Sequence, residues 1–243
     1  MRTIRTIMVI LLAIVLAALG VLVGLMVWLG AWLGLGIGVA AAVAILLLYY
    51  LAIAPWQHRW GATDDEVART LPGDEIVVPH VGSVTRAISI AALPEQVWPW
   101  LVQIGLGRAG WYSYDWIDND GRPSADRIVP EFQDLDVDDL IPMLPAYGPR
   151  VRSLERGRYL LAGDAEEGTW CLALTPIEGG TRLISRWRLN RKLTPANALM
   201  MLLSDPGAFI MERKMLKGIK ARAERTATGK SERVPSPRKD PVA

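Results

Sequence analysis

The sequence predicts an α+β protein in which two apolar membrane helices precede a domain made of an antiparallel sheet and a long C-terminal helix. Three observations predict this class. No charged residue other than histidine lies between Arg5 and Arg59 in the 243 residues. Two segments of alternating polarity flank a glycine turn, and a helical pattern lies near the C-terminus. All 25 acidic residues follow position 63, so a purely soluble enzyme, a disordered chain and a collagen-like chain are excluded.

Residues suited to metal or disulfide chemistry are scarce. Cys171 is the only cysteine, so an intrachain disulfide is impossible. The only histidines are His58 and His80, and both precede the domain. We therefore expect no metal site and no cofactor.

The uncharged run over residues 7–56 is too long for one membrane crossing. As a single helix it would extend about 75 Å, against a hydrocarbon core of about 30 Å. Two spans fit, at about 8–29 and about 33–54, with a reversal in a glycine-rich stretch near residue 30. Aromatic residues lie near the reversal and near the far end of the second span, as in the aromatic belts of membrane proteins: Trp28, Trp32, Tyr49, Tyr50 and Trp56.

The flanking charges predict the orientation of this hairpin, which we assign to residues 1–57. Arg2 and Arg5 precede the first span, Arg59 follows the second, and the reversal carries no charge. The positive-inside rule then places both flanks and the following domain in the cytoplasm, at the inner or plasma membrane. A cleaved signal peptide is the alternative, but the apolar run is much longer than a typical signal.

Residues 58–84 are interpreted as a connector with local order. Thr63 and Glu66 form a capping-box pattern, which predicts a short helix that begins at Asp64. The segment lacks the Gly/Ser composition of a flexible linker, so we expect it to hold the domain at a fixed distance from the membrane.

The domain itself is assigned to residues 85–225. A strand over 85–93 is followed by a helix that Pro94 opens, then by an aromatic loop, and then by three strand signals that end in TRLISRWRLN. The last two strands alternate, which predicts a sheet with one apolar face and one face in water. Arg182, Arg186 and Arg188 lie on the face expected to be in water.

The C-terminal part is predicted to be helical and then disordered. One short helix should end at Leu203, and a second should begin at Ser204 or Asp205 with Pro206 in its first turn. Residues 226–243, rich in Pro, Ser, Lys and Arg, are expected to be a disordered basic tail. The basic residues lack interleaved aromatic side chains, so nucleic-acid binding is not expected.

Several motifs carry a resemblance to a known family: RWGAT, LPGD, the VWPWLVQIG and GWYSYDW run, and MERKMLKGIK. With the order of the elements, they resemble the SRPBCC superfamily, which includes START, pollen-allergen and polyketide-cyclase proteins. The sequence is most similar to an uncharacterised bacterial branch with an N-terminal membrane segment. The resemblance implies a helix-grip fold, in which a curved sheet wraps a C-terminal helix around an apolar cavity. It also implies binding of lipids, sterols or polyketides, and only some branches are enzymes.

On this sequence, the resemblance implies a ligand cavity between the inner face of the sheet, the C-terminal helix and the aromatic loop. The same periodicity is equally compatible with a plain packed core. The predicted ligand-binding residues are Tyr112, Tyr114, Trp170, Leu172, Leu174, Leu183, Trp187, Met211, Met215 and Ile219.

Catalytic candidates are few and lie in the WYSYDWID segment. Tyr114 and Asp115 are the weak candidates, with Asp118 nearby, because a tyrosine beside a carboxylate can move a proton. The alternative is that the aromatic side chains pack under the sheet and Asp115 caps a helix. Arg86 and Arg108 could bind an anionic group, but we expect them to be solvated.

The leading hypothesis is therefore a non-enzymatic, membrane-tethered binding module for a hydrophobic small molecule, such as a lipid. One alternative is a cyclase- or dehydratase-like enzyme that uses Tyr114 and Asp115. Another is a structural or interaction domain whose cavity is filled by side chains. The sequence does not identify the ligand, a protein partner or the oligomeric state.

Overall fold

The N-terminal part of the chain is a helical hairpin. The structure, a computed structural model, describes residues 2–78, 82–190 and 194–229. Helix α1 (Arg2–Leu29) leads to α2 (Ala31–Leu48), a π-helical turn and α3 (Ala54–His58). The segments Met8–Leu29 and Ala31–His58 are long and apolar enough to span a membrane, judged by length and composition.

The two helices of the hairpin are antiparallel and closely packed. A Cβ atom added at Gly34 would lie 2.5 Å from backbone atoms of Leu25 and Met26, and one added at Gly38 would lie 2.6 Å from the side chain of Leu22. The later residue of α2 thus contacts the earlier residue of α1, so the two helices are antiparallel. Small residues at these positions let the two backbones approach, an arrangement that is common in membrane helix pairs.

The connector and the domain follow in the predicted order. Thr63 and Glu66 form the expected capping box, so the helix predicted to begin at Asp64 is confirmed. The first strand begins at Gly82, three residues before the predicted start. The elements after the hairpin are α4 (Asp64–Ala68), β1 (Gly82–Ile90), α5 (Pro94–Val102), α6 (Asp115–Asp118), a 3-10 turn (Pro130–Phe132), β2 (Val151–Glu155), β3 (Tyr159–Asp164), β4 (Gly168–Ile177), β5 (Gly180–Leu189) and α7 (Pro195–Ala227).

The five strands form one antiparallel sheet with the order β1-β5-β4-β3-β2. Trp170 of β4 pairs with Trp187 of β5, so both large rings lie on the same face. Helix α7 packs on that face through a buried stripe at Met215, Leu216 and Ile219. An antiparallel sheet packed on a long C-terminal helix is the helix-grip arrangement, and the predicted α+β fold class is confirmed.

The opposite face of the sheet is largely covered, so the prediction of a face in water is wrong. Residues of the connector pack on this face and form a second apolar cluster with it. The cluster comprises Leu71, Ala87, Leu161, Cys171, Ala173 and Ile184, with Ala62, Ile76 and Tyr159 at its edge. Alternation assigned Arg182, Arg186 and Arg188 to the correct face but could not show what lies over that face.

Arg186 holds the connector on the sheet. Its side chain is only 2% exposed and donates hydrogen bonds to the carbonyl oxygens of Glu66 and Val67, at the end of α4, and to the Asp74 carboxylate. Cations suit the carboxyl end of a helix, where carbonyl oxygens lack partners. Arg188 also pairs with Asp74. The outward arginines therefore pair with the connector and are not simply solvated.

Helix α7 is continuous where two helices were predicted. Pro206 lies inside it, and Asp205 does not act as a cap. A proline removes one backbone hydrogen bond, and the contacts of Asp205 and Phe209 with the α3 region hold the helix together across it. The helix extends to Ala227, and residues 230–243 of the predicted tail lie outside the described residues.

Candidate functional site

The candidate site lies where the loop of residues 103–114, here the Tyr112 loop, meets α7. Tyr112 is buried and has a φ of 54°, which places a bulky residue in the left-handed region. Its backbone N–H donates a 3.0 Å hydrogen bond to the Ser124 hydroxyl. Such a conformation costs about 1–3 kcal/mol and is characteristic of functional sites.

A glycine in α7 allows the helix to touch this loop. A Cβ atom added at Gly218 would lie 2.3 Å from the carbonyl oxygen of Tyr112 and 2.7 Å from its Cβ. Both distances are below van der Waals contact, and one neighbour is backbone that cannot rotate away. The close approach of α7 to Tyr112 therefore depends on the absence of a side chain at position 218.

The Tyr112 ring is held on three sides. Its hydroxyl accepts a 2.8 Å hydrogen bond from Gln103, its edge meets Trp100, and the guanidinium of Arg222 lies 4.4 Å from its centroid. Burial raises the pKa of Tyr112, so the hydroxyl stays protonated. Tyr112 thus forms a wall, with the apolar core on one side and the cation of Arg222 on the other.

The two weak catalytic candidates follow directly in the chain. The Asp115 carboxylate accepts hydrogen bonds from both the backbone N–H and the hydroxyl of Ser124. Tyr114 is half-buried, and the ammonium of Lys214 lies 6.0 Å from its ring centroid. Because Ser124 also accepts a hydrogen bond from the backbone of Tyr112, Asp115 positions the Tyr112 loop through Ser124.

Asp118 is the unusual carboxylate of this region. It is 5% exposed, and neither of its side-chain oxygens has a hydrogen-bond partner among the described residues. Burial raises the pKa of Asp118 to about 6. Carboxyl groups perturbed in this way occur both at sites of proton transfer and in structural positions.

A pocket of about 320 Å³ lies between α7 and the Tyr112 loop, and we refer to it as the Tyr112 pocket. This volume is at the lower end of the range for small-molecule sites. Tyr112 belongs both to the wall of this pocket and to the buried core behind it. The pocket is lined by Tyr112, Ser113, Asp115, Ser124, Lys214, Lys217, Gly218, Ala221 and Arg222.

Most of the predicted cavity residues lie together in the core between the sheet and α7. Trp170 stacks on Trp187 at 4.9 Å and contacts Trp111 at 6.0 Å. Trp187 is partly buried against the core, whereas Met211 and Tyr114 are half-buried outside it. Seven of the ten predicted ligand-binding residues form one buried cluster with other side chains: Tyr112, Trp170, Leu172, Leu174, Leu183, Met215 and Ile219.

A polar network crosses this otherwise apolar core. The Ser185 hydroxyl accepts a 2.9 Å hydrogen bond from the Trp170 indole and donates a 2.6 Å bond to the Glu212 carboxylate of α7. Arg86, 2% exposed, forms an ion pair with Glu212 and donates to the carbonyl oxygen of Gln57. The expectation that Arg86 is solvated is therefore wrong. Its charge is buried and is stabilised by the ion pair with Glu212.

Arg108 also lies inside the domain and not in solvent. Its guanidinium donates to the carbonyl oxygens of Val102 and Phe132 and lies 5.0 Å from the centroid of the Phe132 ring. Burial lowers the pKa of Arg108. Its contacts join α5 to the 3-10 turn, so the structure indicates a packing role for this residue.

A second polar cluster joins the hairpin to α7. The Asp205 carboxylate accepts hydrogen bonds from Tyr49 at 2.7 Å and Gln57 at 2.9 Å and lies 2.7 Å from the His58 ring. Burial alone would raise the pKa of Asp205, but these hydrogen bonds lower it below its usual value. The carboxylate is therefore charged at neutral pH and binds three groups at the end of the second apolar segment.

Sequence reasoning missed most of the residues that give the pocket its charge. Lys214, Lys217 and Arg222 belong to the MERKMLKGIK segment and the residues just after it, where the sequence shows only a helical pattern with several basic residues. Their spacing places them on one side of α7, but nothing in the sequence shows that the Tyr112 loop lies against that side. No three His, Cys, Asp or Glu side chains come together as a metal site would require within the parts of the chain described.

Comparisons with known proteins give structural neighbours only. No family model and no curated protein matches the chain. Protein CV1439 from Chromobacterium violaceum is 15% identical over 59% of this chain and 98% of that one, with a TM-score of 0.37. The Polyketide_cyc-like protein Cgl2372 from Corynebacterium glutamicum is 19% identical over 62% and 85%, with a TM-score of 0.27.

A third neighbour is the Aha1 dimer from Colwellia psychrerythraea, which is 12% identical over 55% of this chain and 94% of that one, with a TM-score of 0.30. The assignment of the fold rests on the sheet and helix of the chain itself.

Proposed function

We propose that the protein is a membrane-tethered binding module for a hydrophobic small molecule of the lipid class, which enters the domain at the Tyr112 pocket. One observation carries the proposal: Tyr112 separates an open pocket from the aromatic core on which the predicted ligand residues converge. A ligand that displaces this ring gains access to Trp170 and Met215. The flexible side chain of Met215 can repack around a guest.

The hairpin supports this proposal by placing the domain beside a source of apolar ligands. Helix α1 contacts α6, and Asp115 of α6 lines the Tyr112 pocket. Because α1 is antiparallel to α2, its first turns are the part that lies beside the domain. We infer that the domain is cytoplasmic, with Arg2, Arg5 and Arg59 on the same side of the membrane. Tethering then raises the effective concentration of lipid at the pocket.

Native mass spectrometry of the full-length chain, followed by lipid extraction, tests the proposal. The wild type should carry an adduct in stoichiometric amount. Ala221→Trp fills the pocket from an exposed position on α7 and should remove the adduct. Ala165→Trp, the same change at an exposed turn between β3 and β4, should keep it. A clean apo mass after incubation with a cell lipid extract contradicts the proposal.

A second candidate is an interaction domain whose core is filled by its own side chains. The observation in its favour is the direct packing of the predicted cavity residues, among which Leu183 and Ile219 have no exposed surface. This candidate predicts the apo mass in the same experiment, and equal thermal stability with and without lipid.

A further inference from the structure

The side chains that line the Tyr112 pocket have an excess of positive charge. Lys214, Lys217 and Arg222 line it, against the single carboxylate of Asp115. None of these three cations forms an ion pair with a described residue. Both oxygens of Asp115 already accept hydrogen bonds from Ser124. The lining therefore presents a net charge of +2 to whatever occupies the pocket.

Arg222 is the most informative of the three, because it is not an ordinary surface cation. It is half-buried, packs over the Tyr112 ring, and donates to the carbonyl oxygens of Ala125 and Gly218. These contacts fix the guanidinium at the wall of the pocket. A guanidinium held in place in this way loses little freedom on binding a planar or tetrahedral anion.

The size of the pocket limits what can occupy it. At about 30 Å³ for each water-sized group, 320 Å³ holds about ten such groups. That is enough for a glycerophosphate but too little for the acyl chains of a lipid. An amphipathic ligand would place its charged end here and its chains against the apolar core or the bilayer.

We propose that the Tyr112 pocket binds the phosphate of an anionic lipid headgroup, with Lys214 and Lys217 as the outer ligands and Arg222 as the inner one. This inference rests on the proposed function, since it assigns the headgroup of the same ligand. Ammonium and guanidinium groups are the usual protein partners of phosphate. The contact between α1 and α6 places the pocket beside the hairpin and so near the leaflet that contains such lipids.

The test uses the full-length chain in nanodiscs of phosphatidylcholine and three soluble probes: dihexanoyl phosphatidate, dihexanoyl phosphatidylcholine and inorganic phosphate. Calorimetric titration measures each Kd, with empty nanodiscs as the blank. The pocket variant is the double change Lys214→Glu and Lys217→Glu, at two exposed positions. The control with the same change of charge is Arg152→Glu and Arg156→Glu, at exposed positions in and beside the edge strand β2.

We expect the wild type and the control to prefer phosphatidate over phosphatidylcholine. The pocket variant should weaken phosphatidate binding by at least about 30-fold, the effect of losing two lysines that each contribute about fivefold near an anionic lipid. Its binding of phosphatidylcholine should not change. Binding of phosphatidate should also weaken as salt is raised.

The other outcomes separate this inference from the proposed function. Equal affinity for both lipids, unchanged in the pocket variant, overturns the phosphate site and leaves the binding module standing. Binding of neither lipid overturns both. Inorganic phosphate that binds as tightly as phosphatidate, and is lost in the pocket variant, supports the phosphate site and contradicts an apolar ligand.

Discussion

Replacing Gly218 by alanine should destabilise the protein, whereas the same change at Gly207 of the same helix should stabilise it. Alanine is favoured over glycine inside a helix by about 1 kcal/mol, and this gain applies to both positions. The surroundings differ. A Cβ atom at Gly207 meets nothing within 4 Å, whereas one at Gly218 would lie 2.3 Å from the Tyr112 carbonyl oxygen.

The magnitude follows from that distance. The added methyl group must move about 1 Å away from a backbone oxygen to reach van der Waals contact, and overpacking of this kind costs about 1–3 kcal/mol. Tyr112 is fixed by Gln103 and Ser124, so the upper value applies. After the helix gain, Gly218→Ala should lose about 2 kcal/mol. For a domain of this size that lowers Tm by about 4–8 °C, and Gly207→Ala should raise it by about 2–4 °C.

Thermal unfolding of the full-length chain in mild detergent, followed by tryptophan fluorescence, measures both variants side by side. Because α7 is forced away from the Tyr112 loop, Gly218→Ala should also lose affinity for the pocket ligand. A Gly218→Ala protein that is as stable as Gly207→Ala would show that α7 and Tyr112 are not in close contact, and the account of the pocket would be wrong.

Three further predictions concern buried charges. Arg186→Met should lower the free energy of unfolding, measured with denaturant, by about 3 kcal/mol. This is the lower end of the cost of breaking a buried ion pair, because Arg188 still binds Asp74. A loss below about 1 kcal/mol would contradict the role given to Arg186. Asp118→Asn should stabilise the protein by about 2–3 kcal/mol at pH 8 and not at all below about pH 4. The reason is that burial raises the pKa of Asp118 to about 6, so wild-type stability falls as pH rises from about 4 to about 6; a gain independent of pH would refute this. Asp205→Asn should cost about 1–2 kcal/mol at pH 7, and the cost should shrink below about pH 4. The pKa of Asp205 is lowered in the folded chain, so its contribution is present above the unfolded pKa and is lost as pH falls; Tm measured from pH 3 to pH 8 checks it.

Local patterns in the sequence were sufficient to predict most of the elements. The capping box at Thr63, the opening of α5 at Pro94 and the alternation in β4 and β5 all depend on residues close in the chain. The continuity of α7 could not be predicted in this way. The proline at 206 is a local signal for a break, and the contacts of Asp205 that oppose it come from residues about 150 positions away.

The candidate site was harder to predict for the same reason. Tyr112 was named from its sequence, but its strained backbone and its contact with Gly218 exist only when two distant segments meet. Arg86 shows the same limit. Its place in a strand indicates which face it occupies, but only the folded chain shows that Glu212 lies opposite it. The partner of a buried charge can lie far away in the sequence, so local sequence patterns do not identify it.

The two polar clusters on α7 have a joint consequence for ligand entry. Asp205 receives the side chain of Gln57, and the carbonyl oxygen of the same Gln57 receives Arg86, which pairs with Glu212 two helical turns further along α7. Helix α7 is therefore bound to the end of the second apolar segment at two points on one face.

A ligand that enters at the Tyr112 pocket must shift α7 or Tyr112. Because α7 is held at both points, a shift of the helix would break a buried ion pair at a cost of several kcal/mol. Movement of the Tyr112 ring costs less, since it forgoes one hydrogen bond, one cation–π contact and one edge contact with Trp100, each worth about 1 kcal/mol. The Tyr112 ring, and not α7, is thus the group expected to move when a ligand enters.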